Sequence, residues 1–162
     1  MKIKQRTNSE KENSSSVLDD TPIGAFVPFF SLFPVLAHKE TIQTTFANEE
    51  LGLPAGTYEL VESYCNDPVC DCRKVMLNVF TKRPEPRILG TVGFGWESAD
   101  FYTRWVGDEQ IGRKMVGPYL ELGGIQTEHS GVCLILVKDA LRDPHYIELL
   151  KRHYRLFKEK LL

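Results

Sequence analysis

A chain of 162 residues is long enough to bury one hydrophobic core and too short for two comfortable domains. Apolar residues make up 42% and charged residues 26%, the balance of an ordinary globular protein rather than a low-complexity one. A formal net charge of −2 excludes a global attraction to nucleic acid or anionic membrane, so any such attraction has to come from a local patch.

In residues 1–21 the cations Lys2, Lys4, Arg6 and Lys11 cancel Glu10, Glu12, Asp19 and Asp20. With Ser14-Ser15-Ser16 and few large apolar residues, this stretch reads as a disordered leader before a single domain over 22–162. The run from Pro22 to Ala37 is the most hydrophobic, and Val35-Leu36-Ala37 has the look of a signal-cleavage site. Against secretion stand the long, half-acidic leader and the interruptions at Pro28 and Pro34. The run also falls short of the roughly 20 residues that span a bilayer. It reads as buried extended structure in a cytoplasmic chain with no membrane partner, where thiols stay reduced.

Glu40–Phe46, rich in Thr and Ile, reads as a strand, and Leu51–Gly56 as a turn. Thr57–Tyr64 and Lys74–Phe80 flank a cysteine-bearing loop. In the second run Val75, Leu77 and Val79 alternate with Met76, Asn78 and Phe80, so the pair predicts an antiparallel hairpin with the cysteine loop at its tip. Ile88–Trp96 returns as a third strand. Ser98 caps a short helix over Ala99–Val106, which Gly107 ends. Residues 110–126 are glycine-rich, with Pro118–Leu122 as a further candidate strand. Gly131–Leu141 has the length of a buried helix and the branched residues of a central strand; length favours the helix. Asp143-Pro144 opens a last helix from His145 to about Leu161, with an apolar stripe of Ile147, Leu150, Tyr154, Phe157 and Leu161. The expected fold is α+β: a small antiparallel sheet covered by C-terminal helices.

Cys65, Cys70 and Cys72 fall within eight residues around Asn66-Asp67-Pro68, whose turn folds the first cysteine back toward the other two. Zinc takes four ligands, commonly thiolate and imidazole, at tetrahedral corners, and this loop can supply three of them. Redox thiols, buried free cysteines and a disulfide are the competing readings; Asn, Asp and Pro between the cysteines are not core composition. For the fourth position the candidates are His153, Cys133, His129 and His38, with Asp67 and Asp71 as oxygen donors inside the loop. His153, at the edge of the last helix's stripe, suits it best. It would complete a Cys3His site and pin that helix to the hairpin.

Gly52–Tyr58, Tyr64-Cys65, Asp67-Pro68, Cys70–Arg73, Phe94–Ser98, Asp143–Tyr146 and Leu150–Tyr154 together resemble an uncharacterised family of bacterial proteins over roughly residues 40–160. The resemblance implies a bacterial cytosolic protein with a metal loop, adds weight to His153 as a ligand, and leaves Cys133 outside the pattern.

Three function classes remain. The first is a non-catalytic zinc-binding module that mediates interaction with a protein or a nucleic acid. For it, the last helix offers Lys151, Arg152, Arg155, Lys158 and Lys160 against Glu148 and Glu159. The second is a zinc-dependent hydrolase with Glu62, Glu97 or Asp100 as general base. The chain carries no His-Glu-x-x-His, deaminase, Walker, dinucleotide-binding or Gly-x-Ser-x-Gly motif, and three thiolates weaken a metal as a Lewis acid. The third is a thiol redox sensor using Cys70 and Cys72, with Arg73 and Lys74 favouring thiolate. The balance favours a protein that is not an enzyme.

Overall fold

The computed structural model describes residues 17–162. In chain order the elements are β1 (Phe26–Pro28), α1 (Phe29–Leu32), α2 (Pro34–Glu40), β2 (Gln43–Phe46), β3 (Gly56–Cys65), β4 (Lys74–Thr81), β5 (Arg87–Gly95), α3 (Ala99–Val106), α4 (Glu109–Lys114), β6 (Gly117–Leu120), α5 (Ser130–Ala140) and α6 (Pro144–Lys160). The strands form one antiparallel sheet in the order β1-β3-β4-β5-β6. β2 shares an edge of β3 with β1: Pro28 pairs with Ser63, and Gln43 with Glu59. The α+β class and the covering C-terminal helices are as the sequence predicts.

Alternation makes the sheet two-faced. Val75, Leu77 and Val79 on β4 are buried, as are Leu60, Glu62 and Tyr64 on β3. Each of the aliphatic side chains contributes about 1.5–3 kcal/mol of burial. α5 lies on β5 and α6 on β4. Gly90 allows the first of these approaches, because a Cβ there would stand 3.1 Å from Cys133 Sγ. The hairpin is in register from Tyr58 opposite Thr81 to Ser63 opposite Met76, so Cys65 and Lys74 emerge at its tip and the loop 66–73 joins them. On the opposite face Val61, Phe80 and Ile88 line an open groove of about 680 Å³ beside α2.

The segment from Pro22 to Ala37 is a correction. Only Phe26–Pro28 is extended; two short helices follow. Proline is tolerated at a helix start, where the missing N–H has no acceptor to serve, and Pro28 and Pro34 sit at the cap of α1 and the first turn of α2. Phe29 and Leu32 of α1 then turn into the core. Residues 1–16 of the expected leader lie outside the described residues. Leu18, placed in that leader, packs against the core. The ambiguous Gly131–Leu141 run is helical, and α4, capped by Asp108, is an element the glycine-rich reading of 110–126 did not separate.

Candidate metal centre

The loop between β3 and β4 is held at every turn. Asn66 ties it to the preceding segment: its amide N–H donates to Ala25 O, its side-chain oxygen accepts from Gly24 N at 2.7 Å, and its side-chain nitrogen donates to Pro22 O. Asp67 Oδ1 accepts from Val69 N at 3.0 Å, the Asx turn expected of Asn-Asp-Pro. Lys158 of α6 reaches across, and its Nζ donates to the carbonyls of Cys65 (2.9 Å) and Asp67 (2.8 Å). At the far end Arg73 has φ +45°, a left-handed conformation costly for a residue other than glycine. Two tyrosines clamp it there: Tyr102 Oη of α3 donates to Arg73 O at 2.6 Å, and Arg73 N donates to Tyr154 Oη at 3.3 Å. The Arg73 guanidinium grips the Asp71 carboxylate, reaches Glu97 and covers the Phe101 ring.

These restraints converge the sulfurs. The ligand atoms of Cys65, Cys70 and Cys72 all lie within 4.8 Å of one another. Sulfurs bound to one tetrahedral zinc at about 2.3 Å stand about 3.8 Å apart, so small side-chain rotations close the trio on an ion. Cys65 and Cys72 are buried and Cys70 is half-exposed. The three thiols hold their protons unequally. A hydrogen bond from the Cys72 thiol, the Asp67 amide N–H and the Lys158 ammonium outweigh burial and bring Cys65 down to about 5. Its bond to Cys65, together with burial, pushes Cys72 up, and burial beside the Cys65 charge pushes Cys70 up. A divalent cation would displace the protons that the three thiols hold. The cluster is compatible with a bound metal ion.

His153 is not part of it. The expectation of a Cys3His site gives way to a different role, because both ring nitrogens already face carboxylates. Nδ1 lies 2.7 Å from Glu62 Oε2 and Nε2 lies 2.6 Å from Glu40 Oε2. The ring is fully buried and stacks on Phe29 with centroids 4.2 Å apart. The Tyr64 hydroxyl shares its single proton between Glu62 Oε2 (2.8 Å) and the Leu150 carbonyl (3.1 Å). Arg152 closes the outer end on Glu40. The histidine therefore joins α6 to β3 and α2 through carboxylates. The sequence carried a signal for this arrangement: Glu62 alternates with Leu60 and Tyr64, so a carboxylate on the inward face of β3 required a partner.

Of the other candidates for the fourth position, Asp67 turns Oδ1 onto Val69 N within the loop and the rest are engaged elsewhere. Cys133 packs on Gly90, and burial raises its thiol to about 11. His129 lies 3.3 Å from Glu128 Oε1, and His38 lines the groove on the open sheet face. Asp71 is committed to Arg73. No protein-family model matches this chain, and no curated protein or solved structure matches it either.

Proposed function

We propose that the chain is a non-catalytic zinc-binding module that mediates interaction with a macromolecular partner. The observation that carries this reading is the convergence of three sulfurs within 4.8 Å on a loop restrained from α3, α6 and the segment before β1. Zinc is favoured among soft ions because it accepts thiolates in a tetrahedral array without redox demands on the site. Three thiolates would quench much of its Lewis acidity, which argues against a hydrolase.

A protein partner suits the surface better than nucleic acid. Most cations of α6 are engaged within the chain: Lys151 with Glu148, Arg152 with Glu40, and Lys158 with two loop carbonyls. The open sheet face instead offers an apolar groove with half-exposed Phe30 at its side. Metal analysis by mass spectrometry under native and acid conditions tests the centre. The expected result is one zinc per chain released by acid, with the three loop thiols protected from modification until a chelator is added and Cys133, buried on Gly90, unreactive before and after. Free reaction of all three loop thiols in protein purified without chelator would leave the redox-sensor reading instead.

A further inference from the structure

The fourth coordination position decides what such a centre can exchange with its surroundings. Among the described residues, the metal-capable group consists of the three cysteines alone, with no histidine or carboxylate oxygen completing it. Burial is also lopsided. Cys65 and Cys72 are closed in, while Cys70 lines a surface concavity of about 320 Å³. That volume is at the lower end of what small-molecule sites use. Its walls are Val69, Leu162 and the Tyr154 ring, with Arg155, Lys158 and Glu159 on the rim. Lys158 is turned inward onto the Cys65 and Asp67 carbonyls. Arg155 is exposed and has no ion-pair or hydrogen-bond partner among the described residues. Asp71, also on this rim, is neutralised by Arg73.

Resting on the zinc reading above, we infer that the fourth ligand is exogenous: a small thiol bearing a carboxylate, its sulfur on the metal at Cys70's side and its carboxylate toward Arg155. A soft sulfur donor matches the three already present. The apolar walls accommodate a short carbon skeleton, and the Arg155 guanidinium, one helical turn before Glu159, supplies the counter-charge. Binding is ligand addition: the thiol gives up its proton to solvent, its lone pair forms the fourth metal–sulfur bond, and any water there leaves. No electron is transferred. The centre is thereby exchange-competent, since an incoming thiol reaches the ion from solvent without unfolding the loop.

Cobalt(II) substitution of the full chain tests this, because sulfur-to-cobalt charge transfer scales with the number of bound thiolates and the visible bands report the fourth donor. Titration with N-acetylcysteine should intensify the charge-transfer band and shift the visible bands. 2-Mercaptoethanol, of the same sulfur chemistry but uncharged, should need more ligand to do so. Arg155→Gln should raise the half-saturating N-acetylcysteine concentration roughly two- to fivefold, the worth of one solvent-exposed ion pair, and leave 2-mercaptoethanol binding unchanged. Failure of cobalt to produce any charge-transfer band would remove the metal reading itself. A band present but indifferent to both thiols would overturn the exogenous ligand while sparing the metal. Equal response to the two thiols, unaffected by Arg155→Gln, would overturn the anionic class.

Discussion

Replacing His153 by leucine separates its part in the fold from the part the sequence suggested. The imidazole stands between Glu62, which is 3% exposed, and Glu40 at the surface. Leucine of comparable bulk still covers Phe29 but leaves the Glu62 carboxylate facing apolar surroundings with only the Tyr64 hydroxyl as a partner. Removing one member of a buried, hydrogen-bonded pair costs about 3–5 kcal/mol, since the remaining charge keeps its desolvation penalty and loses its compensation. That is a large share of the roughly 5–15 kcal/mol that stabilises a domain, and it should lower the urea midpoint by at least about 1 M. The double replacement Glu62→Leu/His153→Leu removes both members of the pair and should recover most of the loss. Zinc content, measured on folded protein in the absence of urea, should remain at the wild-type level in both. A single variant within about 1 kcal/mol of wild type, or a double variant no more stable than the single, would refute the buried-pair argument. A folded variant with no zinc would restore His153 as a ligand.

The outer end of the same chain sets an acid limit. Burial raises the Glu40 carboxyl, but hydrogen bonds from His153 and Arg152 outweigh it and hold the group below its ordinary value of 4.5. A depressed carboxylate stabilises the fold above its unfolded value, and that contribution fades as pH falls from 4.5 through the lowered one. Glu40→Gln should therefore flatten the loss of stability below pH 4.5 in a urea series; an unchanged slope would show that Glu40 takes no part. Cys133→Ala should keep a full zinc complement in metal analysis, because the thiol packs on Gly90 away from the loop; lost zinc would contradict that placement. Gly95→Ala would drive a methyl into the Met115 carbonyl oxygen, a backbone atom. Overpacking of this kind costs about 1–3 kcal/mol, which thermal unfolding would report as a lower Tm; an unchanged Tm would mean that β5 and the Met115 backbone part freely.

How much of this was legible depended on the range of the interactions. Alternation in Lys74–Phe80, a turn at Asn66–Pro68 and caps at Ser98 and Asp143 are local signals, and each led to the element observed. The run from Pro22 to Ala37 misled because proline excludes a helix interior but not a helix start. Whether Pro28 and Pro34 break a helix or begin one depends on what Phe29 and Leu32 can bury against, which is a tertiary matter. His153 misled for a related reason. Its position at the edge of the last helix's apolar stripe suited a ligand, while its actual partners come from residues 91 and 113 positions away in sequence. The cysteine trio was readable because its geometry is enclosed in one loop.

The same enclosure bears on what loss of metal would do. In small zinc modules the ion supplies the folding energy, and the apo chain is unfolded. Here the loop termini belong to two long strands in a continuous core. The loop itself is held by Lys158 on two carbonyls, by Tyr102 and Tyr154 on Arg73, and by Asn66 on the segment before β1. None of these bonds uses a sulfur. Chelation should therefore leave the far-ultraviolet circular dichroism unchanged and raise amide exchange only within residues 66–73. Restoring zinc at about 100-fold over its Kd should add about 2.7 kcal/mol by mass action alone. If the sheet signal instead collapsed on chelation, the hydrogen bonds would be consequences of the ion, and the preorganised loop would have to be abandoned.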